Sequence, residues 1–321
     1  MTGCDPEHAQ SNRMGNTAVV CLTLWRRLAL VAGDIKLSHS VFALPFALLA
    51  TFLAAAEMMR LPDVANLTLI IVCMVLGRTV AMAMNRVADA HLDAQNPRTA
   101  SRVIPSGRVS PSFMLAVAIF CAGGLVVGAA GFWLLNNNPW PVILSPLVLA
   151  WLIGYSFTKR FTCLCHLFLG GALALSPLGA AIAINPAYLG RIEPFLLALV
   201  VMCWVAGFDV IYALQDVRVD RATRICSVPA ALGVRVALGI GAVLHLGAIG
   251  ALGFLVMIGP TLHWSFAIAT GTAAFLLVVQ HAVVWATGTR HIRLMFLMLN
   301  GATSLVLGGL GILDVVLSVA L

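Results

Sequence analysis

Nine apolar stretches of about 20 residues, separated by short turns rich in Pro, Asn, Gly or Arg, recur along the 321-residue chain. An α-helix of that length crosses roughly 30 Å of hydrocarbon at about 1.5 Å per residue. The spans read as 38–57, 64–88, 112–135, 140–157, 163–184, 195–215, 236–258, 263–287 and 294–319. Hydrophobic residues make up 61% of the chain and charged residues 10%, where a soluble domain carries about 25% charged. A soluble fold is excluded, and the even strand pattern of about ten residues that marks an outer-membrane barrel is absent. The expected class is all-α, a polytopic membrane protein of nine transmembrane helices. An N-terminal segment, 1–33, precedes one domain over 34–321. Within it TLWRRLALVAGDIKLS (23–38) reads as the start of an interfacial helix. No secretory signal is read in the polar opening residues.

Nine spans put the N-terminus and the loops after the even-numbered spans on one face, and that face receives 16 of the 19 basic residues. Arg60 and Arg191 fall on the other face, and Arg78 lies inside the second span. By the positive-inside rule the N-terminus is cytoplasmic and the C-terminus outside, in the cytoplasmic (inner) membrane. Topology accounts for the net charge of +7, and no nucleic-acid partner is expected. The acids are sorted too: Asp34, Asp89, Asp93, Asp209, Asp216 and Asp220 share the basic face. Carboxylates contribute little to topology, so this sorting has another cause. The eight cysteines lack zinc-site spacing and read as small buried hydrophobes. His39 and His91 lie near the charged face and read as satisfied interfacial side chains.

Asn85, Asp89 and Asp93 are spaced i, i+4, i+8, so a second helix that continues to Asp93 carries them on one face over roughly 12 Å. At the end of the sixth span Asp209, Tyr212, Asp216 and Asp220 fall within roughly 80° of helix arc. Asp89 to Asp216 and Asp93 to Asp220 are both separations of 127 residues, which points to a duplicated four-helix unit followed by a ninth helix. Like charges four residues apart repel, and carboxylates at a membrane helix end need a partner. An all-oxygen set suits a hard divalent ion; Mg²⁺ takes one or two protein carboxylates and fills its shell with water and phosphate oxygens. The two clusters are the expected site for such an ion and a diphosphate, with Lys36, Arg98, Arg102 and Lys159 on the phosphate oxygens not bound to metal. GGALALSPLGAAIAI (170–184) either leaves room for a lipid tail or serves close helix packing.

NRVADAHLDAQNPRTASRVIPSG (85–107), GYSFTKR (154–160) and DVIYALQDVRVDRATRICSVPAALG (209–233) resemble the UbiA superfamily of intramembrane prenyltransferases, and the likeness runs over about residues 34–319. The resemblance implies a helical bundle around a central cavity, capped by cytoplasmic loops, with Mg²⁺ bridging a polyprenyl diphosphate to both Asp-rich motifs. By motif, Asn85, Asp89 and Asp93 are the first set and Asp216 and Asp220 the second. Arg98 and Arg102 match the basic residues of the first capping loop, Lys159 that after the fourth helix, and Tyr212 the aromatic before the second motif. Arg86 departs from the pattern: many members carry Asp there, which leaves the number of Mg²⁺ ions open and puts a cation near the site. IKLSHSVFALPFALLA (35–50) and Asn-Arg in place of Asn-Asp resemble the 4-hydroxybenzoate polyprenyltransferase-like subgroup. Its acceptors are 4-hydroxybenzoate or 1,4-dihydroxy-6-naphthoate, in ubiquinone or menaquinone synthesis.

The chemistry this implies is ionisation of the allylic C–O bond as metal and arginines take charge from the diphosphate, then attack on a ring carbon ortho to a hydroxyl. Tyr212 is expected to shield the carbocation, and an Asp of the clusters, with Asp209 as a further candidate, to accept the ring proton. The alternative from another class is an ion-coupled transporter, whose coupling charges sit near the midplane. Here the span centres are almost free of charge. Haem O, chlorophyll and archaeal lipid synthases share the machinery with other acceptors.

Overall fold

The computed structural model describes residues 23–35 and 42–320, all helix or loop with no strand among them. Lys36 and His39 lie outside the described residues. In chain order the helices are α1 (23–34), α2 (Leu44–Ala56), α3 (Val64–Ala88), α4 (Ala90–Gln95), α5 (Pro111–Asn136) and α6 (Trp140–Thr158). They continue with α7 (Cys165–Ile184), α8 (Glu193–Ala213), α9 (Val217–Thr223), α10 (Val228–Leu232), α11 (Val234–Ile258), α12 (Trp264–Thr287) and α13 (Ile292–Ala320). Eight of them, α3, α5 to α8 and α11 to α13, are long and apolar enough to cross a membrane. The first expected span is different. Only its 13-residue α2 falls in the described residues, an apolar helix below spanning length, so among the described residues eight helices reach spanning length and α2 is shorter.

The ends of the long helices follow from capping chemistry. Asp63 begins α3 by accepting the Asn66 N–H at 2.8 Å, and Ser110 begins α5 by accepting that of Phe113 at 3.2 Å. Pro111 follows Ser110 at the first helical position, where its missing N–H removes nothing. Asn137 ends α5 in the left-handed region at φ 51°, a conformation Asn tolerates better than most residues.

Helix α8 is the axis of the bundle. It packs on α7 and α11, while α13 and α7 pack on α2, and α3 on α5. Phe46, Trp204, Val205 and Leu252 are buried where α2, α8 and α11 meet. Without water between helices, association depends on close van der Waals approach. A Cβ at Gly170 would lie 2.4 Å from the Met202 carbonyl oxygen of α8, and one at Gly308 2.4 Å from Pro45 of α2. Gly170, Ala174 and Ala181 of α7 are therefore packing residues, which is the second of the two uses open to the 170–184 stretch.

The two ends of the bundle are chemically distinct. At one end Arg191 pairs with Glu57 at 3.4 Å, and Asn138 donates to the Ile182 carbonyl at 2.7 Å. Here too the buried Asp314 of α13 caps a neighbour. Its Oδ2 accepts the N–H groups of His263 (2.7 Å) and Phe266 (2.8 Å), and its Oδ1 that of Ser265 (3.3 Å). No side chain of its own caps α12, so the carboxylate from α13 satisfies those orphan donors and faces the positive end of the helix dipole. Opposite lies the end that holds both Asp-rich motifs.

Asp314→Asn should lower the thermal stability of the detergent-solubilised protein by about 1.5–3 kcal/mol, the range for hydrogen bonds to a charged group. An unchanged melting temperature would remove the cross-helix cap from the account.

Candidate active site

Both motif helices break where the sequence pattern runs on. α3 stops at Ala88 and α8 at Ala213; Asp89 (φ −96°, ψ 2°) and Asp216 (φ −105°, ψ 0°) then begin α4 and α9. Both aspartates occupy the sparsely allowed bridge region. The continuous helix expected from the i, i+4, i+8 spacing is thus a helix, a kink and a short helix. The backbone still closes a full helical turn past each kink, with Asp93 N–H to Asp89 O at 2.8 Å and Asp220 N–H to Asp216 O at 2.8 Å.

Each of the four carboxylates has a partner from another part of the chain. Lys159, at the end of α6, bonds Asp89 Oδ2, which also accepts from Asn85 at 3.1 Å. Arg102 Nη1 reaches both oxygens of Asp93 at 2.7 and 2.8 Å. Arg98 grips Asp216 as a fork, Nε to Oδ1 at 2.9 Å and Nη2 to Oδ2 at 2.5 Å, and Asn96 adds a bond to Oδ1 at 2.8 Å. Asp220 accepts from Ser227 Oγ at 2.7 Å. Burial and the charge of Asp216 raise the Asp220 pKa against the pull of that hydroxyl. Burial works against the Arg98 charge, but its pairing with Asp216 outweighs that and raises its pKa.

Arg98 and Asn96 follow the first motif and close on the second, so the two halves of the site meet through this loop. Arg160 Nη2 bonds the Ala88 carbonyl at 2.5 Å, and the Cys226 N–H bonds the Lys159 carbonyl at 2.8 Å. The loops after α3, α6 and α8 converge. Tyr212 lies beneath Arg98, with its hydroxyl 3.3 Å from Nη1 and its ring 5.4 Å from the guanidinium carbon. Phe296 packs on Tyr212 at 4.8 Å between ring centres, and Phe208 on Phe296 at 5.0 Å. An aromatic column therefore descends from the charged end into the bundle.

The departure at Arg86 has a structural role. Only 4% exposed, it bonds Asp34 Oδ2 at 2.8 Å, the Asp34 carbonyl at 3.2 Å and Asn85 Oδ1 at 3.2 Å. Asp34 Oδ1 in turn accepts the Val103 N–H of the first loop at 3.2 Å. Arg86 thus orients Asn85 and ties α1 and the loop to α3, rather than presenting a free cation. Val31 and Ile35 bury against Ala83, Val103 and Met114 along the same seam.

No three carboxylate, histidine or thiol groups among the described residues stand close enough together to hold a metal ion. The chemistry of the set nonetheless fits one. Asp89 is 2% exposed and its Oδ1 has no partner, which is expensive for a carboxylate unless a cation completes it.

Two groups were missing from the sequence-based site set. Arg78 of α3 has a buried Nε without a partner and forms no ion pair among the described residues. Its signal was legible, since it is the one charged residue near the centre of a span. His166 of α7 bonds Asp209 at 2.7 Å; 43 residues separate them, and no spacing rule links them. His91 is exposed, bonds Gln95 at 3.0 Å, and lines a cleft of about 350 Å³ with Arg160 and Arg224.

Comparison with known proteins places this geometry. The 4-hydroxybenzoate octaprenyltransferase of Francisella tularensis subsp. novicida is 31% identical over 176 residues, which cover 55% of this chain and 60% of that protein. That of Shewanella sediminis is 35% identical over 192 residues, 58% and 62% of the two chains. The matched part thus spans about three fifths of the curated relatives. Among solved structures, the apo form of a UbiA homolog from Aeropyrum pernix K1 superposes with a TM-score of 0.76 at 30% identity, covering 87% of this chain and 98% of that one. A UbiA homolog from Archaeoglobus fulgidus, bound to GPP and Mg²⁺, shares the fold at a TM-score of 0.66 and 13% identity, over 91% and 100% of the chains. The profile of the UbiA prenyltransferase family matches residues 43–302. Most of the chain is covered, and this integral membrane protein belongs to the UbiA prenyltransferase family.

Proposed function

We propose that the protein transfers a polyprenyl group from polyprenyl diphosphate to an aromatic acid of the 4-hydroxybenzoate type, with Mg²⁺ as cofactor, in respiratory quinone synthesis. The observation that carries this reading is the meeting of four carboxylates from two broken helices, three of them neutralised by Arg98, Arg102 and Lys159. Such a set exchanges partners. A diphosphate draws the basic side chains to its oxygens and frees the carboxylates for cations. The names of the curated relatives support the acceptor class.

Asn85, Asp89, Asp93, Asp216 and Asp220 would hold Mg²⁺, which when bound supplies positive charge against the developing charge of the leaving group. Arg98, Arg102 and Lys159 bind and orient the diphosphate, and stabilise the negative charge it gains as the allylic C–O bond breaks. Tyr212 bears a guanidinium on its ring already, and the same face suits an allylic cation. Phe208 and Phe296 extend the apolar wall and exclude water from it. Arg78 lies 11 residues before Asp89 along α3, about 15 Å deeper into the bundle. An unpaired guanidinium at that depth matches the carboxylate of an aromatic acid, and it fixes which way the acceptor faces.

In this reading the basic end faces the cytoplasm across the inner membrane, the C-terminus lies outside, and two related four-helix halves precede a last helix; the clustering of basic residues on one face supports the orientation. A transporter reading has less support, because every motif carboxylate lies beyond the end of α3 or α8.

Membranes containing the protein, supplied with Mg²⁺, a polyprenyl diphosphate and 4-hydroxybenzoate, should form a prenylated acid. Asp89→Asn and Asp216→Asn should abolish it and leave the protein folded in detergent; turnover at the wild-type rate in either variant contradicts the site. Exclusive prenylation of 1,4-dihydroxy-6-naphthoate in a competition assay would reassign the acceptor.

Arg78→Leu should raise KM for the acid by about tenfold or more, as expected when about 1.4 kcal/mol or more of charged recognition is lost. KM for the diphosphate should stay near wild type. A parallel rise in both would place Arg78 outside the acceptor pocket.

A further inference from the structure

Asp209 lies four residues before the end of α8 at Ala213, about 6 Å back along the helix axis from the break that precedes Asp216. It lies three residues before Tyr212, at neighbouring positions of one face of α8. That is the depth at which bond formation occurs if the diphosphate sits at the motif end and the prenyl chain points into the bundle.

Its setting differs from that of the four motif carboxylates. No arginine or lysine contacts it among the described residues. Oδ2 alone is engaged, by His166 Nδ1 at 2.7 Å. The other nitrogen of His166, Nε2, accepts the Val228 N–H at 3.3 Å. Nδ1 therefore carries the hydrogen that binds Asp209. His166 is 4% exposed and held on both sides, whereas the Asp209 side chain is 26% exposed. Oδ1 accepts no hydrogen bond among the described residues. The result is a carboxylate with one oxygen fixed and one oxygen open, on the face that bears Tyr212.

We propose that Asp209 is the base that removes the ring proton, and that His166 is the positioning residue that aims it. The assignment rests on the prenyl-transfer reading above. In that reaction the allylic C–O bond breaks and its electron pair leaves with the diphosphate. A π pair of the acceptor ring forms the new C–C bond, so one ring carbon then bears both the prenyl group and a hydrogen. That C–H bond breaks, its pair restores the aromatic ring, and the proton passes to Asp209 Oδ1. No oxidant or reductant is needed. The motif carboxylates are poor candidates because cations hold them now and would hold them when loaded, which lowers their basicity.

Val228 follows Ser227, whose hydroxyl bonds Asp220 Oδ2 at 2.7 Å. One dipeptide of the second capping loop thus contacts both a motif carboxylate and the histidine that orients the base. Residues 227 and 228 thereby tie the position of His166 to that of Asp220.

The test uses the full-length protein in membranes with 4-hydroxybenzoate deuterated at both positions ortho to the hydroxyl. In the wild type, ionisation limits the rate and the deuterated acid should turn over like the ordinary one. Asp209→Asn should lose about 100-fold or more in kcat, the scale of general-base catalysis. It should gain a primary isotope effect, while KM for the diphosphate is kept. His166→Ala should lose about tenfold with an isotope effect of its own, and His166→Asn, whose amide can still donate to Asp209, should recover part of the loss. Wild-type kcat in Asp209→Asn, or a large loss without an isotope effect, overturns the assignment. Should Asp209→Asn fail to fold, Asp209→Glu serves instead: reduced kcat with an isotope effect supports the base, and its absence overturns it. A wild-type protein that prenylates no aromatic acid defeats the functional reading itself, a result distinct from failure of the dyad.

Discussion

Negative charges that gather at the rim of a hydrocarbon layer must be compensated, because burying an unpaired carboxylate is far more costly than any one contact can offset. The protein concentrates four of them at one end of its bundle and answers with Arg98, Arg102 and Lys159, each from a segment distant in sequence from its partner or folded back over it. Much of the motif end follows from that requirement. The loop after α4 lies across to α9 because Arg98 and Asn96 hold Asp216. The end of α6 is drawn to the kink between α3 and α4 because Lys159 holds Asp89 and Arg160 holds the Ala88 carbonyl. Charge compensation builds the cap, and the same compensation is what a metal and a diphosphate would take over.

The remainder of the fold keeps this end fixed while leaving it exchangeable. Arg86 and Asp34 are nearly inaccessible, and their pair anchors α1, α3 and the first loop. By contrast Arg98, Arg102 and Lys159 keep 23–27% of their side chains exposed. The Arg86–Asp34 pair is buried, whereas the basic partners of the motif carboxylates reach solvent. Asp314 has the corresponding structural duty at the far end, as a cap for α12.

Much of this was legible in the sequence, because the strongest signals are local. Span 64–88 coincides with α3, and the other long helices begin and end within about two residues of the expected limits, since hydrophobic length and capping residues set them. The kinks at Asp89 and Asp216 were not legible. The i, i+4 spacing survives a single bridge-region residue, so the periodicity looks unbroken. Nor was the role of Arg86, which depends on Asp34 52 residues earlier. Cys165 and Cys226 meet in the same way, Sγ lying 3.3 Å from the Cys226 carbonyl oxygen although 61 residues intervene. His166 and Asp209 belong to this class of non-local pairs. Arg78 is the opposite case: its position inside a span was plain from the start, and only its lack of a partner gave it meaning.

The account stands on exchange of protein cations for metal and diphosphate at the two motifs. Its most direct test is the equilibrium binding of a non-ionisable polyprenyl thiolodiphosphate to the purified protein, titrated once with Mg²⁺ and once with EDTA. The account predicts that the analogue binds at least about tenfold more weakly without the metal, a difference of about 1.4 kcal/mol. Equal affinity under the two conditions would contradict it, and would leave the paired carboxylates as structural ion pairs alone.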